Sequence, residues 1–477
     1  MSTSQGRMAW LSIIIALFTL PIILANTFYV DDWHRSVHAY SAWTMNGRPI
    51  AEAIMRLLTF TVLSPSGAPQ VIDIAPLPLI ISIPILAATC FIVHKASGES
   101  SALSVAASSL IVCHPFFIQN LSYNFDVLTM SVAMLLSAYA ATFKSNSTYL
   151  TLAVKVALLA ASYNTYQSTI SLFIVLSVYL PWRQELSLKG TALKILVDIL
   201  GLAIATVIYK FTGNAMVSDN WTKAHIDTVP LAFESIKVVA ENYSNVFAMY
   251  KKASSPLLNG FYIAIFIFAM IGGVISSIEP WRKFFALSIP VLILVASAIP
   301  LVLLNDPVIA ARSFPAFGAI IFILFAMASK VRYLGLSAIP VGVFFFVVSY
   351  ANGSALADQS RFDRIIAEDM VRDVNSTGRY PEIQYGFYGK IPWSPVSNPI
   401  VRSIPVVREL TVRNVGGLKW MSFGVLSHYS MYKGLLSESE IKSRKDEICG
   451  NRVNGITYNK HASQNLIVYD FTKSLCN

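Results

Sequence analysis

Apolar residues dominate this chain in stretches of about 17–25 residues. That is the length a helix needs to cross a hydrocarbon core of roughly 30 Å. The pattern predicts helices at about 8–25, 73–93, 101–118, 126–143, 148–162, 166–181, 191–211, 259–278, 284–304, 314–329 and 333–350. Ten-residue segments of alternating polarity, the mark of a membrane barrel, are absent. The expected fold class is therefore an all-α polytopic membrane protein with about eleven transmembrane helices. The first helix begins near Met8 and leads into Asn26 and Tyr29 rather than a small-residue cleavage site. It reads as a retained helix, not a removed signal peptide.

After residue 350 the pattern changes. Charges of both signs, Gly, Pro and Asn become common, and short β-prone stretches occur at Ile456 to Tyr458 and Leu466 to Tyr469. A small α+β C-terminal domain over 351–477 is expected, long enough for its own core. Residues 1–350 then form a membrane domain that includes a polar outer loop at 26–72.

Charge adds an orientation. With a cytoplasmic N-terminus, the inner turns carry Lys95, Lys144, Arg183 with Lys189, Arg282 with Lys283, and Lys330 with Arg332. The short outer loops near 114–125 and 163–165 have neither Lys nor Arg, the asymmetry of the positive-inside rule. Arg312 is the exception, in an outer turn after Asn305 and Asp306. An odd helix count puts the C-terminal domain outside.

Composition narrows the class further. The chain is 55% hydrophobic and 13% charged, with a mean hydropathy of +0.58, too little polar surface for a water-soluble fold of this size. The net charge of +10 comes without a basic run or an aromatic–basic motif, so nucleic acid is not an expected partner. The lipid bilayer is. Cys449 and Cys476 both fall in the outer tail, where an oxidising compartment permits a disulfide; Cys90 and Cys113 lie in or beside hydrophobic helices as packing residues.

Within the helices the charges are few, chiefly Lys155 and Asp198, and each is read as snorkelling or locally paired. Polar chemistry gathers instead at the outer helix ends. Residues 26–56 hold Asp31, Asp32, His34, Arg35, His38, Asn46, Arg48, Glu52 and Arg56, interleaved with Trp33, Val37, Tyr40, Ile50, Ile54 and, just beyond, Leu57. That interleaving predicts short amphipathic helices along the membrane surface, with the adjacent aspartates held over a cavity between the membrane helices. His114, Asn120, Tyr123, Asn124 and Asp126 form a second outer group, and Tyr163, Asn164, Tyr166 and Gln167 a third. Arg312, between Pro307 and Pro315, is suited to grip a lipid phosphate through its planar fork. The histidines show no metal-ligand spacing, so no protein-only metal site is expected.

The segment YVDDWHRSVHAYSAWTMNGRPIAEAIMRLL resembles the opening of the GtrII-type O-antigen glucosyltransferases, serotype-converting membrane enzymes of bacteria and their prophages. The family's DD-x-x-R stretch and Gly-Arg-Pro segment fall on Asp31, Asp32, Arg35, Gly47, Arg48 and Pro49. The YNTYQ stretch at 163–167 and the Arg312 turn resemble that family more weakly. The resemblance implies a GT-C-like fold, a polyprenyl-phosphate-linked glucose donor and an O-antigen or similar lipopolysaccharide glycan as acceptor on the periplasmic side. It implies Asp31 and Asp32 as catalytic residues, and Arg35, Arg48, Tyr163, Tyr166, Gln167 and Arg312 as substrate-binding.

The chemistry agrees. A glycoside hydrolase needs two carboxylates because its leaving alkoxide must be protonated, whereas a polyprenyl phosphate leaves unaided. One carboxylate then serves as general base on the acceptor hydroxyl, and nearby cations stabilise the departing phosphate. A divalent metal could bridge phosphate and carboxylate, although nothing in the sequence demands a cofactor. The alternative reading is a transporter or flippase for a lipid-linked saccharide, or a related transferase of another sugar. A transporter needs a continuous polar path across the bilayer, against which the scarcity of charge in the inner halves argues.

Overall fold

The computed structural model describes residues 4–62, 70–99, 101–230, 232–331 and 333–476. Arg332, expected as an inner anchor, and residues 63–69 of the expected outer loop lie outside the described residues. The chain divides into two compact units: residues 1–23, 41–70 and 74–350 in the first, and 24–40, 71–73 and 351–477 in the second.

The first unit is helical. Each of the eleven expected segments coincides with a helix or, in one case, a helix pair. Six are long and apolar enough to cross a membrane: Ser4–Ala25, Leu77–Ala96, Leu188–Met216, Pro256–Ile275, Pro280–Val302 and Leu334–Ser376. Their large apolar side chains stay outward, Ile199 at 59% and Val207 at 53% exposed, which in water would be an aggregating surface and in lipid costs nothing. Val127–Thr142, Thr148–Tyr163 and Phe317–Ala328 are apolar but shorter, and Ile170–Arg183 has 14 residues. Helix starts follow local chemistry: Ser147, Ser187 and Ser255 each accept a backbone N–H of the first turn, and Pro256 and Pro280 occupy first-turn positions where no N–H is needed.

Two expectations need correction. The single helix expected over 101–118 is instead the pair Ala102–Ile111 and Pro115–Ser122, bent by 60°. Pro115 forces the break, because it disfavours helical backbone at His114 and cannot donate back into the preceding turn; His114 accordingly has extended backbone. The last helix, expected to stop at 350, runs unbroken over 39 residues from Ala338 to Ser376. Nothing between 350 and 376 is Pro, and its single glycine, Gly353, does not end it.

Alternate loops of the first unit collect at opposite ends of the helices. Glu99 pairs with both Lys330 (2.6 Å) and Arg183 (3.5 Å), and Arg282 donates to the Trp182 carbonyl at 2.9 Å. Their basic residues assign all four loops to one side. The opposite end carries Arg48, Asp126, Gln167 and Arg312.

The second unit holds a five-stranded mixed sheet: β1 (Gln384–Tyr388), β2 (Leu435–Leu436), β3 (Arg452–Val453), β4 (Asn459–Ala462) and β5 (Leu466–Asp470), in the order β2-β1-β5-β4-β3. β1 runs parallel to β2 and β5, while β4 is antiparallel to β3 and β5. Successive side chains of central β5 face opposite sides. Leu466 and Val468 pack with Ile441, Ile448 and Leu475, and Ile467 and Tyr469 with Tyr385, Phe387, Met370 and Val374. Asp373 fixes one helix to the sheet, accepting from the Tyr469 hydroxyl at 2.6 Å and pairing with Lys460 at 2.7 Å. Cys449 and Cys476 are joined by a disulfide against the smaller core.

Candidate active site

The acidic segment belongs to the second unit. Val30 has φ 49°, a left-handed conformation that β-branched residues avoid. It turns the chain into the helix Asp32–His38, whose N-cap is Asp31. The Asp31 carbonyl accepts the backbone N–H of His34 and Arg35, while its carboxylate makes no capping bond and is partly exposed. Asp32 differs: it is fully buried, and its carboxylate accepts the Tyr29 N–H at 3.1 Å. Adjacent helical positions point about 100° apart, which is why one aspartate faces outward and its neighbour inward. Arg35 is 3% exposed, with its guanidinium 6.0 Å from the Tyr40 ring centre.

The apolar face of this helix is covered by protein, not displayed along a membrane surface as expected. Trp33 is 2% exposed and belongs to the core that contains Val425, Met431 and Tyr469. Gly424 permits the contact, since a Cβ there would come within 3.0 Å of both His34 and Trp33. His34 lies 2.6 Å from the Trp420 carbonyl, and His428 lies 3.0 Å from Ser36 and 3.2 Å from the Trp33 carbonyl. Burial lowers the pKa of both rings below the ordinary histidine value. Trp420 opposes the shift at His34 and His38 adds to it; Trp33 opposes it at His428 and Arg364 adds to it.

In the first unit a separate polar cluster forms at the 48/167/312 end. Gly47 has φ 75°, and a Cβ there would stand 2.7 Å from the Tyr209 hydroxyl, so only glycine allows the chain to pass this close. It delivers Arg48 to the start of the helix Pro49–Leu58. Arg48 Nε donates to Gln167 Oε1 at 3.1 Å, its guanidinium lies 4.9 Å from the Tyr166 ring centre, and it reaches to 4.0 Å from Asp126. Asp126 is buried and accepts from Trp43 Nε1 at 2.7 Å. Gln167 Nε2 donates to the Tyr209 hydroxyl at 2.8 Å, and Tyr209 stacks on Tyr163 at 5.2 Å. Nearby, Glu52 accepts the Thr44 N–H at 3.0 Å. Burial works to raise its pKa, but the bonds from Thr44 and Ser41 and the Arg56 charge bring it below the usual carboxylate value.

Arg312 joins the same cluster through its backbone. Its N–H donates to Gln119 Oε1 at 2.7 Å, its carbonyl accepts from Tyr166 at 2.9 Å, and its guanidinium donates to the Tyr123 hydroxyl. Arg48, Tyr163, Tyr166, Gln167 and Arg312 are therefore brought together, whereas Asp31, Asp32 and Arg35 belong to the other unit. Trp43, Gln119 and Tyr209 were missed by sequence reasoning. Each is an ordinary helix-end or loop residue by pattern, and only the fold brings it to the cluster. Lys155 and Asp198 form a local pair at 2.6 Å. Among the described residues no group of three or more His, Cys, Asp or Glu side chains is arranged to hold a metal ion.

A model of the glucosyl transferase GtrII family matches residues 20–323, a range that includes both the acidic segment and the whole Arg48–Arg312 cluster. The uncharacterized 55.3 kDa protein in the gtrB 5' region of Salmonella phage P22 is 27% identical over 458 residues, 87% of this chain and 88% of that one. No solved structure matches the chain. With well over half of its length matched and its apolar helices suited to a bilayer, the chain is a multi-pass membrane protein and belongs to the GtrII family of glucosyl transferases.

Proposed function

We propose that this protein transfers glucose from a polyprenyl-phosphate-linked donor to the O-antigen glycan of lipopolysaccharide at the periplasmic face of the bacterial inner membrane. The family match over residues 20–323 carries the reading. The shorter apolar helices cross along with the six long ones, giving about eleven spans, a cytoplasmic N-terminus and a periplasmic C-terminal domain over 351–477. The shared end of the basic loops around Glu99 supports that orientation.

Roles are assigned unit by unit. In the second unit Asp31 is the general base, because its carboxylate is uncommitted to helix capping and partly exposed, while buried Asp32 and Arg35 hold the segment in shape. In the first unit Arg48 and Arg312 offer cationic forks suited to a sugar phosphate. Tyr163, Tyr166 and Gln167 fix those arginines and present hydroxyl and amide groups suited to a sugar. As base, Asp31 takes the proton of the acceptor hydroxyl while that oxygen attacks the anomeric carbon and the phosphate departs, which inverts the configuration.

Expression in a smooth bacterial strain tests the reading through the mass of the O-antigen repeat unit. A gain of one hexose is expected. An unchanged repeat alongside turnover of the donor lipid would favour the transporter instead.

A further inference from the structure

A second polar site lies at the opposite end of the membrane helices. The helix Thr148–Tyr163 ends at Tyr163 in the cluster described above, and its first turn, about 22 Å away along the axis, borders a cavity of about 210 Å³ lined by Lys144, Thr148, Thr151, Lys155, Lys194 and Asp198 among others. Gln184, next to Arg183, also lines it, which puts the cavity at the end where Glu99, Arg183 and Lys330 meet.

The charges around it do not balance. Lys155 and Lys194 each approach a different oxygen of Asp198 at 2.6 Å, and the Lys155 and Asp198 side chains are only 2% and 3% exposed. Two ammonium groups thus share one carboxylate, and Lys144 adds a third cation at the rim. Among the described residues of the lining, Asp198 alone is acidic. Two helix N-termini add to the same sign: Thr148–Tyr163 and Leu188–Phe211 both begin here, and Thr148, Thr151 and Gly190 of their first turns border the cavity. Lys155 and Asp198 offset one another in the interior, so the excess positive charge is that of Lys194, 16% exposed, and of Lys144 at the exposed rim, where an anion entering the cavity can meet both.

The surroundings are apolar. Phe143, Leu186, Leu193 and Val197 share the lining. Asp198 also borders a second cavity of about 220 Å³, walled by Phe173, Ile174, Val178, Ile199, Phe285 and Leu292. We propose that the Lys144–Lys155–Lys194 cavity binds the phosphate of an anionic lipid headgroup, whose hydrocarbon chain lies along the adjoining apolar wall. The site is separate from the transferase cluster. With the orientation proposed above, the lipid belongs to the cytoplasmic leaflet, and that placement alone rests on the proposed function.

Binding of dioctanoyl phosphatidylglycerol, dioctanoyl phosphatidylcholine and inorganic phosphate to the full-length detergent-purified protein, read by native mass spectrometry, tests this. The anionic lipid should bind about tenfold more tightly than the zwitterionic one, as expected for one charge-assisted contact, and millimolar phosphate should not displace it. Lys194→Gln should lower its affinity about tenfold. Lys144→Gln, at the exposed rim and clear of the buried pair, should lower it about threefold and stands as the check if Lys194→Gln fails to fold. Equal binding of the two lipids, affinity unchanged in a folded Lys194→Gln and in Lys144→Gln, or displacement by free phosphate would each overturn the proposal. Sugar transfer is not the readout, so failure of the transferase reading leaves this result interpretable.

Discussion

The Tyr166 hydroxyl donates to the backbone carbonyl of Arg312 at 2.9 Å across 146 residues of chain. The same Tyr166 ring lies 4.9 Å from the Arg48 guanidinium. One tyrosine thus links the two arginines of the membrane unit, by hydrogen bond on one side and by its ring on the other.

Arg312→Lys keeps the positive charge but loses the planar fork, so apparent donor affinity should fall while expression and folding persist. Tyr166→Phe removes the bond to the Arg312 carbonyl, a loss of about 1 kcal/mol, and should weaken donor saturation in the same direction by a smaller amount. Donor titration in proteoliposomes reads both. Unchanged saturation in Arg312→Lys would reduce that side chain to a membrane anchor.

Asp31→Asn and Asp32→Asn should fail differently. Loss of a general base typically costs about 10²–10⁴-fold in rate, so Asp31→Asn should nearly abolish transfer at normal protein yield. Asp32 is buried and accepts the Tyr29 N–H, so Asp32→Asn should lower yield and thermal stability as well. Glucosylation per folded molecule, with yield measured by fluorescence-detected size exclusion, separates the two. Wild-type glucosylation by the double Asn variant would remove the chemical basis of the assignment.

Reduction of the Cys449–Cys476 bridge, whose partners are 27 residues apart, should cost the second unit about 3 kcal/mol. Protein alkylated without reduction should show only Cys90 and Cys113 as free thiols, and only after denaturation, since both are buried. Intact-mass measurement counts the alkyl groups, and four without reductant would exclude the bridge.

Mild acid should loosen the packing of the Asp32–His38 helix. His34 and His428 are held below the ordinary histidine pKa, first by burial, so the unfolded chain binds more protons than the folded one. Their contribution is whole above an unfolded value near 6.5 and is lost as pH falls from there toward the lowered folded values. Protection of residues 32–38 and 419–427 against hydrogen exchange, corrected for the intrinsic pH dependence of amide exchange, should therefore fall as the pH drops below about 6.5. A flat profile in His428→Gln with the slope kept in wild type would assign the effect to that ring.

The membrane helices were legible because length and apolarity suffice to define them, and the break at Pro115 was legible in principle from the proline alone. The arginine cluster was legible in part. Arg48, Gln167 and Arg312 stood out as polar groups at apolar helix ends, but Tyr209, near the end of an apolar helix, gave no signal of facing Gln167. The acidic segment was visible as chemistry and invisible as architecture. Trp33 reads as an interfacial aromatic until its partners Val425 and Met431 are known, and no local periodicity encodes a contact across about 390 residues.

That separation sets an order of events in biosynthesis. Asp31 and Asp32 leave the ribosome near the start of translation, yet the Lys419–Ser427 helix that covers Trp33 is made some 386 residues later. At roughly 5–20 residues per second the delay is about 20–80 s. During that interval the membrane helices are inserted while the acidic helix waits with its tryptophan uncovered. A chain cut short before Lys419 carries both aspartates and every arginine of the cluster, but it lacks the helix that buries Trp33, so the earliest chemistry of this protein depends on some of its last residues.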